Sequence, residues 1–297
     1  MEEAMRPGDS DQLTREYFEQ ILLKMRHIDA QKPSTEIELF GEKFATPVMT
    51  AALSHLKSDK GHGMVELAKG AKAAGALYWC GMGEDEELEQ ITATGAKTIK
   101  IIKPHADNRE VFRRIEHAKK AGVLAVGMDV DHAFTGSGAY DVVLDLPMRP
   151  KSKEELREFV QAAEVPFIIK GVLSEEDAEK CLEIGAAGII VSHHHGIMDY
   201  AVPPLQILPE ILKVAGNMPV FVDCGFASGM DVFKALALGA TAVGVGRALM
   251  EPLKTDGAEG ACEAIKAITA QLAGVMARTG YARVEEIDAS CLVMRSR

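Results

Sequence analysis

Residues 166–191, PFIIKGVLSEEDAEKCLEIGAAGIIV, decide the fold. The apolar run 166–170 is followed by a helical pattern that Ser174 and three acidic residues introduce, and small residues then lead into a second apolar run, 189–191. The serine can accept hydrogen bonds from the first N–H groups of a helix, and the acids suit the positive end of its dipole. Short, continuous apolar runs are typical of parallel strands buried on both faces. This stretch therefore predicts a strand–helix–strand unit.

The same unit recurs along the chain. Helical patterns end in small residues just before an apolar run at 74–75, 121–122, 185–188 and 239–240. Glycine ends a helix in a left-handed conformation and lets helix and strand approach closely. The candidate strands are 47–51, 76–80, 98–102, 123–128, 166–170, 189–191, 219–223 and 242–246. An open doubly wound sheet is the alternative, but eight units without a GxGxxG turn after the first strand favour a single α/β domain, a closed (βα)8 TIM barrel.

Two segments lie outside the repeat. Residues 11–25 predict an amphipathic helix, and residues 36–44 a hairpin that turns at Gly41 and plugs the N-terminal mouth of the barrel. After the last strand, residues 258–277 predict a long Ala-rich helix. We therefore divide the chain into a capping segment, 1–45, and a barrel, 46–297.

The composition excludes several classes of protein. With 47% hydrophobic and 26% charged residues, the 297-residue chain is too apolar for a disordered protein. Its formal net charge of −11, without a block of basic residues, argues against nucleic acid or an anionic membrane as the main partner. The five cysteines form no CxxC motif, and we find neither a signal peptide nor a membrane span. We expect a cytoplasmic protein.

Glycine turns at the ends of the seventh and eighth strands predict a phosphate site. These turns are DCGFASG, 223–229, and GVGRAL, 244–249, and the second contains Arg247. Active sites of such barrels lie at the carboxyl ends of the strands, where glycine N–H groups, a helix N-terminus and a guanidinium together bind phosphate. Alternatively, the glycines only make tight turns and Arg247 pairs with a surface acid.

Titratable residues follow the fourth, fifth and sixth strands. Lys170 ends the fifth strand, where a buried ammonium needs an anion, either a ligand or a neighbour such as Asp129. Because adjacent residues of an extended segment point in alternate directions, the three histidines 193–195 are not expected to converge on one ion, and we predict no metal site. One of them should lie near Asp129 as a general base, or be satisfied by hydrogen bonds alone. Asp131 and His132 are expected near the mouth.

Two long segments carry a family resemblance. IIKGVLSEEDAEKCLEIGAAGIIVSHHHG, 168–196, and PVFVDCGFASGMDVFKALALGATAVGVGRALM, 219–250, resemble the FMN-dependent 2-hydroxy acid oxidases and dehydrogenases, the family of glycolate oxidase, lactate oxidase and flavocytochrome b2. The similarity extends from about residue 36 onward. It implies FMN as cofactor, a small-molecule substrate such as a 2-hydroxy acid or a related hydroxy or amino compound, hydride transfer to flavin N5, and a homo-oligomer.

The resemblance also implies roles for individual residues. His194 looks like the catalytic base, Asp129 its partner, and Lys170 the lysine at the flavin N1/O2 edge. The remaining residues implied to bind the cofactor are Ala51, Ala52, Gly81, Lys100, Ser192, Gly196, Asp223, Gly225, Ala227, Gly246 and Arg247. The residues expected to contact the substrate are Lys103, His132, His193 and His195.

The sequence departs from the family at both ends of the site. The arginine that follows the catalytic histidine and holds the substrate carboxylate has no equivalent in residues 195–199, and the loop after the fourth strand is shorter. Ala227 replaces a phosphate-binding arginine. The loss of a bidentate arginine removes strong carboxylate recognition. Two alternatives therefore stay open: an FMN-dependent isomerase of the isopentenyl-diphosphate type without net redox change, and a catalytically silent flavin-binding protein.

Overall fold

Eight parallel strands form a barrel in the computed structural model, which describes residues 6–295. The barrel strands are β1 (Val48–Thr50), β2 (Tyr78–Cys80), β3 (Thr98–Ile102), β4 (Ala125–Asp129), β5 (Phe167–Val172), β6 (Gly188–Val191), β7 (Val220–Val222) and β8 (Ala242–Val245). Each overlaps a predicted apolar run, and the bounds agree within two residues. The predicted fold is confirmed.

A threonine side chain helps to close the barrel between β1 and β2. The N–H of Thr50 donates to the carbonyl of Leu77 over 3.2 Å. The Thr50 hydroxyl accepts a hydrogen bond from the N–H of Trp79 at 2.8 Å. Beyond the strands, the N–H of Gly81 donates to the carbonyl of Leu53 at 2.9 Å. The side-chain acceptor satisfies a buried backbone donor at the seam.

A helix follows each strand around the outside of the barrel. These helices are α2 (Gly63–Ala73), α3 (Asp85–Ala93), α4 (Asn108–Lys120), α5 (Lys153–Ala163), α6 (Glu175–Glu183), α7 (Pro204–Val214), α8 (Gly229–Ala237) and α9 (Arg247–Thr279). Gly257 has φ 60° and ψ −134°, so α9 consists of two helices that meet there, and the predicted helix 258–277 is the second. Among residues 6–295, no helix has both the length and the apolar character that a bilayer crossing needs.

The N-terminal end of the barrel is closed by a hairpin. Its strands, Ile37–Leu39 and Glu42–Phe44, turn through Gly41 at φ 77°. Leu39 and Phe44 are buried against the same apolar cluster that fills the barrel interior. The hairpin lies where the sequence predicts a plug.

The first helix differs from its prediction in length. Helix α1 (Ser10–Gln20) ends five residues before the predicted end at residue 25. The chain then forms a short strand, Ile21–Leu23, antiparallel to Leu292–Met294 near the C-terminus. Strand pairing with a distant segment satisfies the backbone here, and a helical pattern in the sequence does not report such a partner. Unlike the hairpin, α1 packs at the opposite, carboxyl end of the barrel.

Candidate active site

Asp129 at the end of β4 lies between two lysines. Nζ of Lys103 is 2.6 Å from its Oδ2, and Nζ of Lys170 is 3.1 Å from its Oδ1. Lys170 also lies 4.0 Å from Oδ2 of Asp223. Burial favours the neutral acid, but Lys170 and Lys103 outweigh it and hold the pKa of Asp129 far below its usual range. Burial likewise opposes the charge of Lys170, yet Asp129 and Asp223 raise its pKa, so both groups are ionised at neutral pH.

His194 pairs with Asp131 rather than with Asp129, its expected partner. Nδ1 of His194 lies 3.0 Å from Oδ1 of Asp131 and 3.9 Å from Oδ1 of Asp129. The carboxylate of Asp129 contacts Lys103 and Lys170 instead. Asp131 lies two residues further along the chain, on the loop, and contacts His194. An ionised carboxylate only accepts hydrogen bonds, and Asp131 lies closer to Nδ1 of His194 than the Lys170 ammonium does, 3.0 Å against 3.4 Å, so we assign a proton to Nδ1. Nε2 of His194 is then the atom that can accept a proton.

The two acids and His194 also form a compact group of possible cation ligands. Their ligand atoms lie within 4.8 Å of one another. The ammonium groups of Lys103 and Lys170 already contribute positive charge at this point. A further cation would be repelled by both lysines, so this group suits an acid–base role better than a metal.

His132 lies at the mouth, on the loop that follows β4. Its ring packs edge-on against that of His194, with centroids 5.0 Å apart, and its Nδ1 is 3.0 Å from Oδ2 of Asp141. Burial and the charge of Lys103 lower the pKa of His132, so it is predominantly neutral near pH 7. Its position is compatible with the expected contact to substrate.

The other two histidines point away from this cluster. His193 is only 2% exposed, its Nε2 is 2.8 Å from the hydroxyl of Thr14 on α1, and its Nδ1 accepts a hydrogen bond from the N–H of Gly196. Nδ1 of His195 contacts the carboxylate of Asp11, also on α1. The expected substrate contacts of His193 and His195 therefore do not fit the structure. Residues 194–196 form a turn with positive φ at His194 and His195, and of the three histidines it is His194 that faces Asp131.

A small cavity lies between the ends of β1, β2 and β7. Its lining includes Ala51, Ala52, Trp79 and Asp223. A Cβ atom on Gly81 would lie 2.4 Å from Oγ of Ser54, so only glycine fits. The carbonyl of Gly81 accepts a hydrogen bond from the buried Lys100 at 2.6 Å. Ala51, Ala52, Gly81, Lys100 and Asp223 are among the residues that the family resemblance implies for flavin binding, and the structure brings them to one side of the barrel.

Strands β6 and β7 bring Ser192 and Asp223 to the same region. Oγ of Ser192 accepts a hydrogen bond from the N–H of His194 and lies 3.6 Å from Sγ of Cys224. Sγ of Cys224 donates to Oδ1 of Asp223 at 3.1 Å. Cys224 has a φ of 73°, a strained value for a residue other than glycine. This strained residue joins Asp223 to Gly225 in the glycine turn 223–229, where the sequence predicts part of a phosphate site.

Arg247 begins α9 at the end of β8. Its guanidinium is half-exposed, and Nη1 lies 2.9 Å from Oδ2 of Asp11. The alternative pairing of Arg247 with an acid is thus present. In the part of the chain that the structure describes, no side chain caps the helix at Gly246, whereas Ser228 and Asp231 cap α8 reciprocally. The first turn of α9 therefore keeps backbone N–H groups available to an anion.

The sequence reasoning missed the contribution of α1 to this end of the barrel. Asp11, Thr14, Arg15 and Phe18 lie on the face of α1 that packs over the ends of β6, β7 and β8. Their spacing of three or four residues marks one helix face. That signal predicts an interacting face, but it does not reveal which part of the barrel the face covers.

Comparisons with known proteins agree with this arrangement. The sequence pattern of the FMN-dependent dehydrogenase family matches residues 2–155 and 147–294. The chain belongs to this family. It is 30% identical to glycolate oxidase 1 from Zea mays, over 96% of this chain and 88% of that protein. It is 29% identical to 4-hydroxymandelate oxidase from Amycolatopsis orientalis, over 88% and 82% respectively.

Solved structures of mandelate oxidase have the same fold. One, a complex with 2-hydroxy-phenylacetamide, superposes with a TM-score of 0.88 at 27% identity and covers 98% of this chain and 91% of that one. Another, with a monooxide FMN adduct, gives a TM-score of 0.87 at 29% identity and covers 99% and 94%. The family and its solved members identify FMN as the cofactor.

The residues present fit FMN at both of its charged ends. Lys170 supplies a buried ammonium, which suits the electron-rich N1/O2 edge of the ring. Gly225, Gly246 and Arg247 supply a turn with positive φ, an uncapped helix start and a guanidinium, which suit the phosphate. The departures found in the sequence therefore leave the elements of a flavin site in place.

Proposed function

We propose that this protein oxidises a small 2-hydroxy acid, with FMN as the electron acceptor and His194 as the base. The observation that carries the proposal is the 3.0 Å contact between Nδ1 of His194 and Asp131, beside the buried pair of Asp129 and Lys170. The relatives support the substrate class, because their names give glycolate, 4-hydroxymandelate and mandelate as substrates.

The proton transfer uses His194. Asp131 holds the imidazole with its proton on Nδ1, so Nε2 accepts the proton of the substrate hydroxyl. The carboxylates of Asp131 and, at 3.9 Å, Asp129 stabilise the imidazolium that forms. When bound, FMN supplies the acceptor for the hydride that leaves the substrate carbon. Lys170 presents a permanent positive charge that favours negative charge developing near the end of β5.

Lys103 and His132 are the side chains we assign to the substrate carboxylate. Lys103 lies next to Asp129 at the end of β3, and His132 borders His194 from the loop after β4. Neither offers the bidentate fork of arginine, and Asp129 already neutralises part of the charge of Lys103. We therefore expect weak binding of the carboxylate and a substrate whose remaining groups contribute to affinity.

The proposal is tested by mixing the FMN-loaded protein, without oxygen, with a panel of 2-hydroxy acids and following flavin absorbance. Bleaching together with formation of the 2-oxo acid supports it. Conversion of a substrate without net flavin reduction supports an isomerase instead. Flavin that no member of the panel reduces, although dithionite reduces it, favours a catalytically silent flavoprotein.

We also propose a cytoplasmic location and a homo-oligomeric state. The cysteines among the described residues are free thiols, which suits a reducing compartment. Exposed apolar side chains on the loop after β4, including Phe134, Tyr140 and Val142, offer contact area for another copy. Light scattering of the purified protein tests the oligomer, and fractionation of the native cells tests the location.

A further inference from the structure

Arg15 on α1 reaches the turn that follows β7. Its Nη2 lies 2.8 Å from Oδ1 of Asp231, and its Nη1 lies 3.3 Å from Oδ2 of the same carboxylate. Nη1 also lies 3.4 Å from the carbonyl of Gly225. Oδ2 of Asp231 accepts hydrogen bonds from the N–H groups of Ala227 and Ser228, both at 3.1 Å. One carboxylate therefore joins the Arg15 guanidinium to the backbone of the glycine turn.

The turn itself lacks a cationic side chain. Its residues 223–229 are DCGFASG, and the small side chain of Ala227 within it is exposed. The nearby cation, Arg247, is already paired with Asp11. A phosphate dianion bound here needs more positive charge than one partly neutralised guanidinium provides.

Arg15 retains the capacity to bind an anion. A guanidinium carries five N–H donors, and the contacts to Asp231 and Gly225 use three of them. The others can donate to an anion. The side chain is 43% exposed. Burial would raise the pKa of Asp231, but hydrogen bonds from Arg15 and Ala227 outweigh it and lower that pKa, so the pair is charged at neutral pH.

We propose that Arg15 supplies, from the N-terminal helix, a second guanidinium for the FMN phosphate. Arg15 thus provides, from its position on α1, the positive charge that the turn lacks at Ala227. The inference rests on FMN binding with its phosphate at the turns after β7 and β8, and it is independent of the substrate that the enzyme oxidises. A purely structural role for Arg15 would be to hold α1 against α8 through Asp231.

Affinity for FMN and for riboflavin separates the two roles, because riboflavin has the same ring and ribityl chain but no phosphate. We would remove the flavin and titrate the refolded apoprotein with each compound, following the quenching of flavin fluorescence. The Arg15→Gln change should weaken FMN binding about 10- to 100-fold, the loss of a charge-assisted contact, and leave riboflavin binding unchanged. Arg15→Lys keeps an ion pair with Asp231 but loses the fork, so it should weaken FMN binding to a smaller extent.

A rescue variant makes the test specific. Adding Ala227→Arg to Arg15→Gln restores a guanidinium to the turn and should recover most of the FMN affinity, without effect on riboflavin. The proposal is overturned if Arg15→Gln leaves FMN affinity unchanged, or if it weakens FMN and riboflavin equally. If Arg15→Gln fails to fold, Arg15→Lys decides between the two roles. A loss of FMN affinity without a loss of riboflavin affinity supports the proposal, and equal changes in both overturn it. Failure of substrate oxidation in wild-type protein that binds FMN tightly would count against the proposed function and not against this inference.

Discussion

The carboxylate of Asp11 on α1 lies 2.9 Å from the guanidinium of Arg247. Arg247 begins α9 in the glycine turn 244–249, where we expect the FMN phosphate. The same carboxylate contacts His195, and its Oδ1 is buried without a hydrogen-bond partner among residues 6–295. An acid in this position offsets the positive charge that a phosphate requires. Helix α1 therefore brings charges of both signs to one site, Asp11 and Arg15.

We predict that Asp11→Asn tightens FMN binding. The amide keeps the size of the side chain but removes the negative charge beside Arg247, so FMN affinity should rise about fivefold and riboflavin affinity should not change. The flavin titration described above measures both. As a control, Asp199→Asn removes the exposed partner of Arg6 and should change neither affinity. Weaker FMN binding by the Asp11 variant would show that its carboxylate positions Arg247 and does not compete with phosphate.

Asp131 should matter for proton transfer through its effect on His194. Asp131→Asn removes the negative charge that stabilises the imidazolium and lets an amide N–H donate to Nδ1, which favours the wrong tautomer, so the rate of anaerobic flavin reduction should fall about 10²- to 10⁴-fold. Asp141→Asn, which changes the partner of His132 on the same loop, should have a much smaller effect. Rapid-mixing absorbance measures both variants. Equal rates for wild type and the Asp131 variant would remove Asp131 from the mechanism.

The buried charges around Asp129 should make stability depend on acid pH. The pKa of Asp129 is lowered in the folded protein relative to about 4 in the unfolded chain, so its contribution is complete above about pH 5 and is lost as the pH falls through and below 4. Asp129→Asn leaves Lys103 and Lys170 without their shared anion and should cost about 3–5 kcal/mol at pH 7. Urea unfolding of both proteins at pH 7 and at about pH 3 measures this. The difference in unfolding free energy should narrow by about 1 kcal/mol at the lower pH, and a constant difference would contradict the assignment.

Gly81 should not tolerate even one added carbon. A Cβ atom there would lie 2.4 Å from Oγ of Ser54 and 2.6 Å from the carbonyl of Leu53, so Gly81→Ala should destabilise the protein by about 1–3 kcal/mol. Gly136→Ala is the matched control, because a Cβ atom there meets nothing within 4 Å and the φ is not positive. Thermal unfolding compares the two. Similar melting temperatures for both variants would show that the β1 and β2 loops adjust easily.

The sequence predicted the barrel well because its signals are local. Each strand is a short apolar run, and capping residues such as Ser174 mark where a helix begins. The end of α1 could not be predicted, since the strand Ile21–Leu23 depends on pairing with Leu292–Met294 at the other end of the chain. The extra length of α9 was missed because two helices meet at Gly257 without a loop.

In the site, strand ends could be assigned and side-chain partners could not. Position in the strand placed Asp129, Lys170 and Asp223 together, because the carboxyl ends of parallel strands meet. The choice between Asp129 and Asp131 as partner of His194 depends on the conformation of a loop. The position of helix α1 on the barrel could not be predicted for another reason. Its charged face is evident in the sequence, but no local pattern indicates which turns of the barrel that face contacts.

A single-turnover experiment with His194→Gln tests the central claim most directly. The FMN-loaded variant and wild type would be mixed, without oxygen, with a 2-hydroxy acid that reduces the wild-type flavin, and His195→Gln would serve as the neighbouring control. The account predicts that His194→Gln retains bound FMN but reduces it at least about 100-fold more slowly, whereas the FMN-loaded His195 variant reacts at a rate close to wild type. Reduction at the wild-type rate by the His194 variant would contradict the claim that His194 is the base.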